Sequence, residues 1–249
     1  MINEAEYERL YKQIKSKRDI ERLAKKGWKP DFLLELLTMK LARETRRRFY
    51  RLPRDKILME WRAGKTATKL AAKYGISPVM MLYTILLAQG YSKKKARAMI
   101  NGKVDVRGRI KKELEEARKE DVVYSPSGLE IQLKKGKEGE ERIKRFLEKR
   151  GIKFLREVDL KKEYSKTPDF LLAKIIMMNN EPVRWIESKA SIGDLEKVKR
   201  DYTKQLKQYM EMFGPGAIVY WFGVLPSAKR WLEDKGVLVL ESLRGVRIE

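Results

Sequence analysis

The chain has 249 residues and carries 58 lysines and arginines against 35 aspartates and glutamates, a formal net charge of +23. A charge this large and positive points to a polyanionic partner, most simply nucleic acid. There is no cysteine and no histidine, which excludes disulfides, thiolate zinc sites, Cys nucleophiles and Ser–His triads, so any metal must be held by oxygen, as suits magnesium or manganese.

Residues 1–122 read as helix throughout. Glu4 to Leu23 is a charged helix, broken at Gly27-Trp28-Lys29-Pro30. Asp31 can cap the next, from Phe32 to Tyr50, whose apolar stripe is Leu33, Leu34, Leu37 and Leu41. Arg46, Arg47, Arg48 and Arg51 cluster near its end. Pro53 breaks it, and Asp55 can cap a third helix to Trp61. Lys65 to Pro78 has the pattern of a helix-turn-helix: Leu70 and Ala71 for close packing, Gly75 for the turn, Ser77 as cap and Pro78 at the first helical position. The would-be recognition helix, Val79 to Ala88, has no Arg, Lys, Asn or Gln, whereas base readout needs such groups. The pattern therefore favours a structural or backbone-binding role over a transcription regulator. Lys93, Lys94, Lys95 and Arg97 follow and can grip phosphates, although a charge run is also an ordinary solvated face. Residues 1–120 hold 32 basic and 15 acidic side chains, net +17, against net +6 for residues 121–249, so the stronger electrostatic surface is the first half.

Glu113 to Glu120 is a charged helix, and Ser125-Pro126-Ser127-Gly128 a loop signal that places a domain boundary near 122/123. The second domain reads as a helix from Glu138 to Arg150, a strand from Ile152 to Val158, a hairpin, a long helix from Asp194 to Met212, a buried strand from Ala217 to Val224, a short helix and a last strand. The expected architecture is α+β and multidomain. In the hairpin, Pro168 to Met177 and Val183 to Ile186 are strand-like, with Asn179-Asn180-Glu181-Pro182 as the turn. Centred near Asn179, the hairpin sets Asp169 opposite Lys189, and Glu187 shares a face with Lys189 because side chains alternate. Strands disfavour Asp and Glu, so two carboxylates and a lysine at one hairpin end suggest a metal-dependent phosphodiesterase site more than a solvated salt bridge, which would add little.

Pro168-Asp169 followed by Glu187-Ser188-Lys189, in this order of elements, resembles the PD-(D/E)xK restriction-endonuclease-like superfamily. That resemblance implies an αβββαβ core over residues 138–224. Gly136 and Glu140 match the spacing of a glycine and an acidic residue at the start of the first helix in archaeal Holliday-junction resolvases, which implies Glu140 as an extra metal ligand, with Glu138 and Glu141 as rivals. Gln205 to Tyr209 reproduces a Gln-x-x-x-Tyr signature of RecB-type exonucleases. Narrower still, Lys166 to Leu172, Trp185 to Ala190 and Phe213 to Gly216 look like the TPD-motif, codanin-interacting-nuclease-like family, whose members are described as helix-turn-helix segments followed by a nuclease domain.

The resemblance implies a magnesium- or manganese-dependent nuclease acting on DNA, structured or branched. Asp169, Glu187, Glu140 and the backbone carbonyl of Ser188 would hold the metal. Lys189 would position water or neutralise charge, and Gln205 and Tyr209 would orient the lysine or a phosphate. The alternative is a nucleic-acid-binding or scaffold protein that keeps a nuclease fold with little or no catalysis. A homodimer suits a branched substrate with two symmetric cuts. No run approaches 18 apolar residues and no charged-then-apolar leader opens the chain, so the expectation is a cytoplasmic protein without membrane contact. Abundant Lys and Glu without Cys also resembles hyperthermophile compositions.

Overall fold

A computed structural model describes residues 2–161 and 163–249, and is α+β with one five-stranded mixed sheet. Two compact units emerge: a helical unit of residues 10–132, and a sheet unit of residues 133–249 joined by the first nine residues. The division falls inside a helix, at 132/133, where the loop signal placed it at 122/123.

The α-helices up to Glu148 are α1 (Glu4–Gln13), α2 (Lys17–Ala24), α3 (Pro30–Arg48), α4 (Arg54–Arg62), α5 (Ala67–Tyr74), α6 (Pro78–Ala88), α7 (Lys93–Ile100), α8 (Gly108–Glu120) and α9 (Pro126–Glu148). The helical unit contains the end of α1, all of α2 to α8 and the start of α9. The single helix expected from Glu4 to Leu23 is two, because Ser16 interrupts it. Asp19 accepts hydrogen bonds from the Ser16 backbone and hydroxyl, starting α2 afresh. α5 and α6 meet at 107° across a turn made by Gly75 at φ +65°, and Ser77 caps α6 by accepting from the Met80 amide. At Gly75 an added Cβ would lie 2.1 Å from the Arg48 guanidinium. α6 is the core of this unit: Val79, Met81, Leu82, Tyr83, Ile85 and Leu86 are all buried. A helix so enclosed has no face left for reading bases. Glu113, also expected in a charged helix, is buried, where its carboxylate accepts from the Trp61 indole at 2.9 Å, the Ala67 amide at 2.8 Å and Arg109 at 2.7 Å. No single helix among the described residues is long and apolar enough to cross a membrane.

α9 begins twelve residues before the helix expected from Glu138. The Ser125-Pro126 pair read as a loop is a helix start. Ser125 Oγ accepts from the Gly128 amide at 3.0 Å, and Pro126 takes the first position, where its missing N–H costs nothing. Gly136 and Glu140 consequently lie in mid-helix. Gly151, at φ +65°, ends the turn that follows.

The sheet runs β1 (Phe154–Arg156), β2 (Phe170–Met178), β3 (Glu181–Lys189), β4 (Gly216–Tyr220), β5 (Val237–Leu240), in that spatial order. β1, β2 and β3 are antiparallel neighbours; β3, β4 and β5 are parallel. The strand expected over Ile152 to Val158 shrinks to three residues, because a short helix, α10 (Glu157–Leu160), starts at once. α9 covers one sheet face through Ile143, Phe146 and Leu147, packed on Phe170, Leu172, Ile186, Ala217 and Val219. The long helix expected from Asp194 is α11 (Leu195–Asp201) and α12 (Lys207–Phe213), joined by a π-helical stretch, Tyr202–Leu206. α13 (Pro226–Glu233) precedes β5.

Candidate active site

The hairpin turn is Asn179-Asn180, with φ +50° and +67°, the left-handed pair that a tight two-residue turn requires and that Asn tolerates. Near the turn Ile176 pairs with Val183, yet Leu171 pairs with Trp185. Four residues of β2 thus stand against one of β3, leaving three surplus residues in an irregular bulge, and Ala173, Lys174 and Ile175 face solvent there. This corrects the register expected from a symmetric hairpin. Phe170 sits opposite Ile186, so the next position places Asp169 against Glu187, not against Lys189.

Two backbone-to-carboxylate bonds lock this pairing. The Ser188 amide donates to Asp169 Oδ2 at 2.8 Å, and the Asp169 amide donates to Glu187 Oε2 at 3.3 Å. Lys189, two residues from Glu187 and on the same face, donates from Nζ to Glu187 Oε1 at 2.5 Å and to Gln205 Oε1 at 2.9 Å. Gln205 lies in the π-helical stretch. Tyr209 does not reach the lysine: its hydroxyl donates to the Thr167 carbonyl at 2.7 Å, fixing the backbone just before Pro168-Asp169. Its ring packs edge-on to Trp185.

Glu187 is only 3% exposed. Burial, and then the neighbouring Glu187 charge, push the Asp169 carboxyl well above the usual carboxylate range. Burial also raises Glu187, with Lys189 pulling against it. Burial works to lower the Lys189 ammonium, but Glu187 more than offsets this and it stays above the ordinary lysine value. One ammonium thus stands beside two facing carboxylates.

Of the three candidate glutamates on α9, Glu138, Glu140 and Glu141, it is Glu140 whose charge acts on Asp169. It is held by Arg156 at 2.7 Å. Glu138 is exposed, and Glu141 is turned to Arg145 at 3.1 Å. Among the described residues, no group of three or more acidic side chains stands assembled as a metal cage. The expected result is that Glu140→Gln impairs whatever chemistry the site performs more than Glu138→Gln does; equal effects in a side-by-side activity assay would rule out the assignment.

Sequence reading missed the contact that brings α9 here. An added Cβ at Gly139 would lie 2.4 Å from Trp221 Nε1 and 2.8 Å from Ser188 Oγ, whereas one at Gly136 would meet nothing within 4 Å. Gly139, not Gly136, lets the helix approach the end of β3. Trp221 Nε1 donates to Ser188 Oγ at 2.9 Å, and the Arg142 guanidinium lies 5.3 Å from the Trp221 ring centre. Lys135, two turns earlier on α9, lies 4.6 Å from the Phe222 ring centre. The adjacent Trp221-Phe222 pair after a buried strand was the available signal.

The expected phosphate-gripping residues lie in the helical unit. Arg46, Arg47, Arg48 and Arg51 are exposed at the end of α3, where cations also favour the helix dipole. Arg48 bonds to Glu44 at 2.8 Å and to the Tyr74 carbonyl at 3.2 Å. Lys93, Lys94, Lys95 and Arg97 are exposed on α7, with Lys95 against the Tyr91 ring.

A family model described as a protein of unknown function with a TPD sequence motif matches residues 106–243, more than half of the chain. The chain belongs to this TPD-motif family. It is 35% identical over 131 residues to CDAN1-interacting nuclease 1 of Danio rerio, covering 52% of this chain and 43% of that protein. The protein of that name from Homo sapiens is 36% identical over 106 residues, covering 42% and 38%, and that from Xenopus laevis 37% over 91 residues, covering 36% and 30%. The chain thus spans less than half the length of these relatives. No solved structure matches it.

Proposed function

We propose that this chain is a metal-dependent nuclease that hydrolyses phosphodiester bonds of DNA, with structured or branched DNA as its preferred substrate. The observation that carries this reading is the cross-strand pairing of Asp169 with Glu187, with Lys189 held beside them by Gln205. The relatives' printed name, which calls them nucleases, supports it. On this reading the sheet unit is a restriction-endonuclease-like domain and α5–α6 a structural helix-turn-helix in a DNA-binding region.

The residues fit a hard divalent ion, magnesium or manganese. Only oxygen donors are at hand, and the two facing carboxylates have a single ammonium, that of Lys189, beside them. Asp169 and Glu187 would hold the ion. The Ser188 amide faces Asp169, and an extended residue directs its N–H and C=O to the same edge, so the Ser188 carbonyl is available too. Glu140 joins them once released from Arg156. When bound, such an ion polarises a phosphoryl oxygen and makes water a stronger nucleophile. Lys189 supplies a fixed positive charge where negative charge builds up on the phosphate, and Gln205 keeps its ammonium from swinging away.

The ion pair of Arg156 with Glu140 favours the second reading, a nucleic-acid-binding scaffold on a nuclease fold. One experiment separates the two: labelled single-stranded, duplex, flap and four-way-junction DNA incubated with the full chain. Cleavage is expected with magnesium or manganese. Calcium should bind without turnover, since it holds its ligands in looser geometry. Equal cleavage in calcium, or undiminished cleavage in excess chelator, rules out the metal mechanism; no cleavage under any condition leaves the scaffold.

A further inference from the structure

Tyr50 is 85% exposed, and its surroundings do not account for that exposure by packing. It is the middle residue of a 3-10 turn, Phe49–Arg51, that ends α3. Its ring meets Phe49 edge-on at 5.3 Å, and Phe49 in turn stacks on Tyr83 of the buried helix α6 at 6.0 Å. Leu52 follows in extended geometry, which the proline after it favours, and Pro53 has its own φ held by its ring. The tyrosine is thus a rigid aromatic surface, anchored through one neighbour to the core of the helical unit and open to solvent.

The charges along the chain around it are mostly basic, with Asp55 as the one carboxylate between positions 46 and 56. Arg46 lies one helical turn before Tyr50, Arg51 directly after it, and Arg54 at the first position of α4. All three are exposed, and none forms an ion pair with a described residue. Arg54 stands where a cation is unfavourable to the helix dipole, so helix stability does not explain it. An exposed ring flanked by unpaired guanidiniums is the combination that grips a single nucleic-acid strand: cations on the phosphates, the ring under a base. A fully paired duplex hides its base faces in its own stack and would leave such a ring idle.

We propose that Tyr50 is a stacking platform for an unpaired base of a DNA strand whose phosphates are held by Arg46, Arg51 and Arg54. This inference builds on the reading of the chain as a DNA-binding protein and narrows its substrate to DNA with unpaired bases, as at flaps, gaps or junction arms.

The test uses the full chain in excess chelator, so that no strand is cut, with a labelled single-stranded oligonucleotide and a blunt duplex of equal length. Tyr50→Ala should weaken single-strand binding about tenfold, the scale of one lost base stack, and change duplex binding less than twofold. Tyr50→Phe should restore it, since the ring and not the hydroxyl acts. The salt dependence of Tyr50→Ala should match wild type, because no phosphate contact is lost. The triple change of Arg46, Arg51 and Arg54 to Gln should weaken both probes and flatten that dependence. Equal loss on both probes, no loss on either, or failure of Phe to rescue would overturn the platform. If wild type binds neither probe, the DNA-binding reading itself fails, a result distinct from a wild type that binds and a Tyr50→Ala variant that binds equally well.

Discussion

Asp169→Asn should abolish cleavage and, at the same time, make the metal-free protein harder to unfold. The two effects have one origin. In the metal-free state a partly buried Asp169 faces a buried Glu187 across the strands, and the Asp169 charge is the less compensated of the two. Asn keeps an oxygen to accept from the Ser188 amide and removes that charge. The gain should read as a rise in Tm of the metal-free variant over metal-free wild type. The sign follows from the direction of the shift. A raised carboxyl favours the folded state below the unfolded value near 4 and loses that advantage as pH rises through the folded value. The variant's gain should therefore appear at neutral pH and vanish in acid. Glu187→Gln should also abolish cleavage but cost about 3–5 kcal/mol, because it strands the Lys189 ammonium in a largely buried place. Lys189→Ala should lower cleavage about 10²-fold, the scale of a lost electrostatic stabiliser. Cleavage assays and thermal melts with and without magnesium check all three. Magnesium should raise the Tm of wild type and leave that of Asp169→Asn unmoved. Near-wild-type cleavage by Asp169→Asn or Glu187→Gln would disprove the site.

Gly139→Ala carries the second large effect, and its sign separates two explanations. Helix propensity alone favours alanine by about 1 kcal/mol in mid-helix. Packing says the opposite. The new methyl would intrude on the Trp221 indole and on Ser188 Oγ, and neither is a flexible chain end that can swing clear. Either α9 lifts, carrying Glu140 from the carboxylate pair, or Trp221 gives up its bond to Ser188. A net loss of about 1–3 kcal/mol, the usual cost of overpacking, is expected in chemical unfolding. Cleavage should fall by more than the loss of fold explains. Gly136→Ala, three residues away with nothing in reach, is the control and should be neutral or stabilising. A Gly139→Ala variant as stable and active as that control would remove the close approach from the account.

The hairpin shows how much was legible in the chain and where legibility stopped. The Asn-Asn turn and strand alternation sufficed to bring Asp169, Glu187 and Lys189 to one end. The partner of Asp169 could not be read, because the bulge leaves no mark: Ala173-Lys174-Ile175 contains neither glycine nor proline. Period-two reasoning carries register only as far as pairing stays regular. The start of α9 failed for a different reason. Ser, Pro and Gly are loop residues by composition and helix-start residues by position, and only the amide that Ser125 captures decides between them. A tie of Gln205 to Lys189 was among the expectations, but that of Tyr209 to Thr167 was not, because four-residue spacing on a regular helix puts both side chains on one row, whereas with the π-helical stretch at Tyr202–Leu206 the tyrosine reaches the backbone before Pro168 instead of the lysine.

The buried Tyr7, whose hydroxyl donates to Asp194 at 2.5 Å, ties the first helix to a partner 187 positions away. Glu4 likewise accepts from the Ser227 amide at 2.8 Å, across 223 positions. During synthesis these residues leave the ribosome well before the surface on which they dock. All of residues 10–132 is made in between, and that stretch has its own core to condense around. The order of assembly is thus inverted relative to the order of the chain. The helical unit closes first, with α1 waiting as an unsatisfied amphipathic segment, and the sheet unit is completed only when that segment returns. Contacts of such sequence separation are slow to form, so the refolding rate of the whole protein should be set by the return of α1 and not by the packing of either core.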